Sequence, residues 1–169
     1  IMNISRLLSV APMMERTDRH CRYFFRLLSQ QTLLYSEMIN ANAITKGNKT
    51  RLLNFSEIEH PLALQIGGSD PKLLAEATKI GVDWGYDEIN LNVGCPSSRV
   101  SSGDFGAVLM KRKDHVAKCV DAMAQFSSNV PISVKCRIAV DDQDPEKILP
   151  SFIKTVSNSG VSIFIIHAR

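Results

Sequence analysis

The chain lacks several features that would place a protein directly in a class. Its four cysteines lie far apart and form no C-x-x-C pair, so they indicate neither a zinc site nor a disulfide framework, and we expect reduced thiols and no metal. No segment approaches the ~20 consecutive apolar residues of a membrane span, and the N-terminal segment has no signal-peptide pattern. These absences favour a cytoplasmic protein that has no membrane partner.

Two further signals are weak or missing. The formal net charge of +3 is compatible with a polyanionic partner but does not require one. The basic run from Lys111 to Lys113 is interpreted as a solvated helix start. No G-x-G-x-x-G motif follows a predicted strand, which argues against a doubly wound dinucleotide-binding fold.

Six apolar segments rich in β-branched residues predict strands. In chain order they are LLSVAP near Leu7, TLLYSEM from Thr32, PLALQIGG from Pro61, DEINLNVG from Asp87, PISVKCRI from Pro131 and SIFIIHAR from Ser162. Helical patterns lie between them. One has Asp70 as its N-cap, Pro71 at its first position and Gly81 near its end. The others are a helix beginning after Thr17 or Asp18, the segment DHVAKCVDAMAQF, and a helix with Asp144, Pro145 and Gly160 in the same roles.

The alternation of strand and helix predicts an α/β fold with a parallel sheet and right-handed crossovers. Polar or unusual residues follow nearly every predicted strand, which favours the mouth of a (β/α)₈ TIM barrel over a sheet with one nucleotide-binding loop. A complete barrel takes roughly 250 residues, whereas this chain has 169. We therefore expect an incomplete barrel of about six of the eight βα units, truncated at Arg169.

Two strand ends suggest a ring-shaped ligand. Gln65 can present an amide, and Lys135 places a positive charge beside Arg137. Together they suit a heteroaromatic ring that gains negative charge, such as a reduced flavin. Taken singly, Gln65 is better explained as a loop hydrogen bonder and Lys135 as an ion-pair partner, so the prediction of a ligand rests on their convergence.

Cys95 lies on a turn between Gly94 and Pro96, where packing gains little from a thiol. It is a candidate nucleophile or general acid, and the residues alone do not decide between these roles. Asn92 is expected to face the same mouth, where its amide could pair with a nucleobase edge. His167 ends the last strand and is interpreted either as a buried, hydrogen-bonded histidine or as a ligand-facing one.

The sequence resembles the tRNA-dihydrouridine synthases. The resemblance rests on APMMERTDRHCR, PLALQIGGSDP, DEINLNVGCPSSRV, VKCRI and FIIHAR, which occur in this order over almost the whole chain. The segments TDRHCR, LLYSEM and DDQD are similar to the A subgroup, which acts on uridine near position 20 in the D arm of tRNA.

This resemblance implies an FMN-binding TIM barrel over residues 1–169, followed in the family by the remaining barrel strands and a helical tRNA-binding domain. It implies NADPH as reductant, Cys95 as proton donor and Asn92 as a tRNA contact. The flavin ligands that it implies are Pro12, Met13, Met14, Gln65, Lys135 and His167. Since the family's phosphate-binding segments should lie beyond Arg169, we expect the 169 residues alone to bind FMN weakly and not to turn over.

Two alternatives remain. A flavin barrel could reduce a free pyrimidine, or the chain could be a truncated, non-catalytic remnant. The TDRHCR segment and Arg99, beside the cysteine turn, favour a phosphate-bearing polymer as substrate over a free base.

Overall fold

The computed structural model describes residues 4–97 and 104–169. In these residues seven parallel strands form one sheet, in the order β1-β2-β4-β5-β6-β7, with β3 added beside β4. The strands are β1 (Ser9–Val10), β2 (Leu33–Tyr35), β3 (Ile39–Asn40), β4 (Leu62–Gly67), β5 (Glu88–Val93), β6 (Ile132–Arg137) and β7 (Ile163–His167). The sheet curls into a half-barrel, which confirms the predicted incomplete TIM barrel.

Within the described ranges, six α-helices and two 3₁₀ segments connect the strands. They are α1 (Arg19–Leu28), α2 (Ala41–Lys46), α3 (Lys49–Leu53), α4 (Pro71–Asp83), α5 (Lys113–Ala124) and α6 (Pro145–Ser157), with the 3₁₀ segments at Glu57–Glu59 and Gly106–Lys111. The predicted N-caps are confirmed. The carboxylates of Asp18, Asp70 and Asp144 accept hydrogen bonds from backbone N–H groups in the first turns of α1, α4 and α6.

Gly81 lies near the end of α4, as predicted, but it does not terminate the helix. The helix continues past Gly81 to Asp83, and the left-handed residue beyond it is Gly85, with φ of 91°. Gly81 instead lies on the buried face of α4, where an added Cβ would come within 2.7 Å of Leu64 Cδ2 and 2.8 Å of Ile89 Cδ1. The glycine therefore permits close packing of the helix on β4 and β5.

Strand β3 was not predicted as a separate element. Both β2 and β3 pair with β4, but the chain takes four steps from Tyr35 to Ile39 while β4 takes three from Ala63 to Ile66. The extra residue is a bulge that interrupts the ladder. The bulge contains Ser36, whose Oγ accepts a hydrogen bond from the backbone N–H of Gln65 at 3.0 Å.

The two faces of the sheet differ in chemistry. On the convex face, Ile89, Leu91 and Val93 of β5 are fully buried against the helices, in one core with Val134 and Cys136 of β6. The intervening residues point to the concave face, and in β5 and β6 these are polar: Glu88, Asn90, Asn92, Ser133, Lys135 and Arg137. Because side chains alternate between the two faces along each strand, the concave side of the sheet is a polar barrel interior. Among residues 4–97 and 104–169, no helix combines the length and apolarity needed to cross a membrane.

Candidate functional site

A cavity of about 1320 Å³ opens at the carboxyl ends of the strands. Every predicted site residue that the structure describes lines it: Pro12, Met13, Met14, Gln65, Asn92, Cys95, Lys135 and His167. Arg99 lies outside the described residues. The carboxyl ends of five strands, β1, β4, β5, β6 and β7, thus bring together side chains that are up to 155 positions apart in the sequence, from Pro12 to His167.

Cys95 is held by a turn whose polar backbone groups are all hydrogen-bonded. Asn92 Oδ1 accepts from the N–H groups of Gly94 at 3.1 Å and Cys95 at 2.9 Å. Arg137 Nε donates to the Gly94 carbonyl at 2.8 Å, and Ala107 N donates to the Cys95 carbonyl at 2.9 Å. The half-buried thiol lies 3.6 Å from Ser97 Oγ and faces the cavity. The turn therefore fixes the position of the sulfur without burying it in the core.

Asn92 supports this turn, which sequence reasoning did not anticipate. It is 7% exposed, and besides the two backbone contacts its Nδ2 donates to Gln65 Oε1 at 2.9 Å. One Nδ2 hydrogen remains for a ligand. Any contact of Asn92 with a base therefore comes in addition to its role in positioning the cysteine.

A buried polar row lies beneath the cavity. Gln65 Nε2 donates to Asn90 Oδ1 at 2.7 Å, Asn90 Nδ2 donates to Ser133 Oγ at 2.7 Å, and Ser133 Oγ donates to Glu88 Oε1. Gln65, Asn90 and Ser133 are register partners across β4, β5 and β6. Sequence reasoning missed Glu88, Asn90 and Ser133, although their alternation with apolar residues was a visible signal.

Two cationic side chains end β6. Lys135 is half-buried and has no hydrogen-bond or ion-pair partner among the described residues, whereas Arg137 is engaged with the cysteine turn. The pKa of Lys135 is lowered, mainly because burial removes water from its ammonium group, and the charge of Arg137 adds to this effect. An anionic group in the cavity would relieve that cost.

His167 is exposed at the end of β7 and lines the cavity, so it is not a buried histidine. Its pKa is lowered by desolvation and then by the positive charges of Lys135, Arg137 and Arg169. A histidine in this setting is predominantly neutral near pH 7. It can then offer one donor and one acceptor nitrogen.

The loop after β1 forms an apolar wall of the cavity with Pro12, Met13 and Met14. Thr17 is fully buried behind this loop and braces it. Its Oγ1 accepts from Met13 N at 3.0 Å, and its own N–H donates to the Met13 carbonyl at the same distance. The wall suits the face of a flat aromatic ligand, since methionine thioethers contact rings favourably.

The TDRHCR segment contributes less to a polyanion site than its composition suggests. Arg22 is 5% exposed, and its Nε donates to Glu59 Oε2 at 2.7 Å while Nη1 donates to the Thr17 carbonyl. It ties α1 to the barrel and is not available to phosphate. Within the segment, only Arg19 and His20 remain as exposed basic side chains.

The fold and the cavity together define a class: a parallel α/β barrel protein whose polar side chains converge at the carboxyl ends of its strands, the usual position of a TIM-barrel ligand site. Comparison with known proteins gives the family. The family model described as Dihydrouridine synthase (Dus) matches residues 9–169. The chain belongs to the dihydrouridine synthase family.

Curated relatives carry the name tRNA-dihydrouridine(20/20a) synthase. The Synechocystis sp. protein is 59% identical over 162 residues, which are 96% of this chain and 48% of that protein. The Escherichia coli K12 protein is 58% identical over 95% of this chain and 46% of its own length, and the Xanthomonas campestris protein is 54% identical over 96% and 48%. The chain spans about half the length of the curated relatives that it matches.

Proposed function

We propose that this chain forms part of the catalytic barrel of an enzyme that reduces uridine to 5,6-dihydrouridine in the D arm of tRNA, near position 20, with FMN as cofactor and NADPH as reductant. One observation carries the proposal. The thiol of Cys95, the amide of Gln65 and the ammonium group of Lys135 face one cavity from neighbouring strands. The family and the names of the relatives support the reaction and the tRNA substrate.

The residues present fit a flavin. Lys135 supplies an unpartnered, partly desolvated positive charge for a ring that becomes anionic on reduction. Gln65 has an amide hydrogen and an oxygen lone pair left over after its bonds to Asn90 and Asn92. Met13 and Met14 offer an apolar wall. A cavity of about 1320 Å³ exceeds the ~300–1,000 Å³ of common small-molecule sites, so it has room for a ring and a base together.

The reaction adds two electrons and two protons across the C5=C6 bond of uracil. Gln65 and Lys135 would hold FMN, which in its reduced form would supply hydride chemistry for C6. Cys95 Sγ–H supplies the proton that bonds to C5, and the resulting thiolate regains a proton from water. The four backbone contacts of the Gly94–Cys95 turn give this proton transfer its geometry, since a fixed donor loses no entropy on approach.

The substrate must be an accessible base. A uridine in a duplex would have to leave its stack at a cost of a few kcal/mol, which is smaller for a loop nucleotide. Asn92 retains one amide hydrogen at the mouth, and Arg19 and His20 are exposed on the first helical turn of α1. We assign the helical tRNA-binding domain that the family resemblance implies to the half of the relatives' length that this chain does not match.

The test is Cys95→Ala in the full-length protein that contains this chain, with Cys21→Ala as a matched control. Cys21 is also half-buried, but it lies on α1 and does not line the cavity. We expect Cys95→Ala to retain the flavin absorption and to lose dihydrouridine formation on unmodified tRNA, while Cys21→Ala retains both. Full turnover by Cys95→Ala would refute the role of the thiol. Reduction of free uracil in preference to tRNA would favour a pyrimidine oxidoreductase, and a protein that holds no flavin would favour a non-catalytic remnant.

A further inference from the structure

The hydrogen bonds beneath the cavity form one continuous chain with a defined direction. It begins at the backbone N–H groups of Gly94 and Cys95, passes through Asn92, Gln65, Asn90 and Ser133, and ends at Glu88. Glu88, Asn90 and Ser133 are all 0% exposed, and none of them lines the cavity. This row of hydrogen bonds therefore connects the side chains that face the cavity to buried groups that do not line it.

The direction of this chain is set at both ends. Backbone N–H groups only donate, so the Asn92 atom that meets them must be Oδ1, and its Nδ2 must point to Gln65. At the other end, Glu88 accepts from Ser133, from the Tyr35 hydroxyl at 3.1 Å and from Arg6 Nη2 at 2.5 Å.

Tyr35 strengthens the carboxylate end. Its pKa is raised by burial and then by the charge of Glu88, so its hydroxyl keeps the proton that it donates. Ser133 then uses its only proton for Glu88 and can only accept from Asn90. Asn90 Oδ1 must consequently face Gln65 Nε2. Both ends impose the same orientation on the Gln65 amide.

We propose that Asn90 is a positioning residue that acts through Gln65: it fixes which atom of the Gln65 amide donates and which accepts at the cavity, and thereby the pattern offered to the flavin. This inference rests on the proposed function, because it assumes that the cavity holds FMN. The physical reason is the low dielectric of the barrel interior, where a buried amide without a partner costs roughly 1–3 kcal/mol. Without Asn90, Gln65 Oε1 would stay held by Asn92 Nδ2 while Gln65 Nε2 would lose its buried acceptor. The amide would then shift to recover a partner for Nε2, and its contact with the flavin would change.

The experiment is a double-mutant cycle on FMN affinity in the full-length protein, with Gln65→Leu, Asn90→Leu and the combined variant. One net hydrogen bond of roughly 1 kcal/mol corresponds to about a fivefold change in Kd, and an unpaired buried amide to about tenfold or more. We expect Asn90→Leu alone to weaken FMN binding about tenfold. In the Gln65→Leu background we expect it to have no further effect, because the group through which it acts is gone.

Asn90→Asp provides the conservative rescue. Burial beside Glu88 favours the protonated form of the introduced carboxyl group, which keeps an oxygen for Gln65 Nε2 and a hydrogen for Ser133 Oγ, so FMN affinity should stay within about threefold of wild type. Ser127→Ala is the control for loss of a buried serine outside this row of hydrogen bonds, since Ser127 Oγ donates to the Ala124 carbonyl. If Asn90→Leu does not fold, Ser133→Ala replaces it in the cycle, with an expected effect of about threefold that also vanishes in the Gln65→Leu background.

The outcomes separate the two proposals. An equal loss of FMN affinity from Asn90→Leu in both backgrounds, or no loss in either, would overturn the positioning role. A wild-type protein that binds FMN but forms no dihydrouridine would overturn the proposed function and leave the cycle to decide the role of Asn90. A wild-type protein that binds no FMN would overturn both.

Discussion

Asn92→Ala should loosen the cysteine turn, and the structure sets the size of the effect. The substitution removes two hydrogen bonds from backbone N–H groups and one to Gln65. At roughly 1 kcal/mol each, and with water replacing part of the two half-exposed contacts, the ordered turn loses about 2 kcal/mol. This corresponds to roughly a 30-fold loss in the rate of proton transfer from Cys95, if the transfer needs the ordered geometry.

An alkylation assay without tRNA distinguishes two roles of Asn92, the support of the Gly94–Cys95 turn and a direct contact with the substrate. Alkylation of Cys95 by iodoacetamide, followed by peptide mass spectrometry, reports the exposure of the turn in the absence of tRNA. We expect Asn92→Ala to raise this rate severalfold while the alkylation rate of Cys21 in the same sample stays constant. Asn92→Asp keeps the oxygen that accepts from both N–H groups, so its Cys95 should react at a rate close to that of wild type.

A fall in turnover without a change in Cys95 alkylation would refute this reasoning. In that case the contacts from Arg137 and Ala107 would suffice to hold the turn. Asn92 would then matter only as a substrate contact, and its effect would appear mainly in KM.

Three further predictions concern stability and pH. Lys135→Met should raise the melting temperature at pH 7, because the lowered pKa of Lys135 means that charging it opposes folding. This penalty is relieved as pH rises through the folded-state pKa towards the ordinary lysine value of 10.5. The difference from wild type in thermal denaturation should therefore shrink between pH 7 and pH 10. Arg22→Met should cost about 3 kcal/mol in urea unfolding because it leaves the buried Glu59 carboxylate unpaired, and an unchanged midpoint would contradict this. Gly81→Ala should gain about 1 kcal/mol of unfolding free energy from helix propensity but lose about 2 kcal/mol to the 2.7 Å contact with Leu64, so we expect a net loss of stability in urea unfolding. A stabilised variant would show that the core around Leu64 rearranges more easily than this reasoning assumes.

The sequence predicted the order of elements well because each signal was local. Caps such as Asp70 followed by Pro71 need only neighbouring residues to act, and the β-branched segments were bounded by turns. The convergence of Gln65, Lys135 and Cys95 was also predictable, because the carboxyl ends of parallel strands share one edge. Their roles towards a cofactor stay predictions.

The missed features depend on pairing between distant segments. The bulge between β2 and β3 exists only as a difference in register with β4, which no stretch of sequence shows by itself. The same holds for Arg22, whose partner Glu59 is 37 positions away. In the TDRHCR segment, which we interpreted as favouring a polyanionic substrate, Arg22 therefore anchors α1 instead.

The barrel interior shows how the chain divides its polar groups between structure and ligand. Among the described residues, the only buried side-chain polar atoms without a partner are Arg26 Nε and Thr78 Oγ1, and neither belongs to the row beneath the cavity. Each buried group of the row thus has a partner without a ligand, and what remains for a ligand is the second amide hydrogen and the free oxygen lone pair of Gln65. Lys135 is the opposite case: it borders the same row, is half-buried, has no partner within residues 4–97 and 104–169, and has a lowered pKa. The protein thus provides partners for Glu88, Asn90 and Ser133 but leaves the neighbouring ammonium group of Lys135 partly desolvated. An anionic ring in the cavity would remove this desolvation cost.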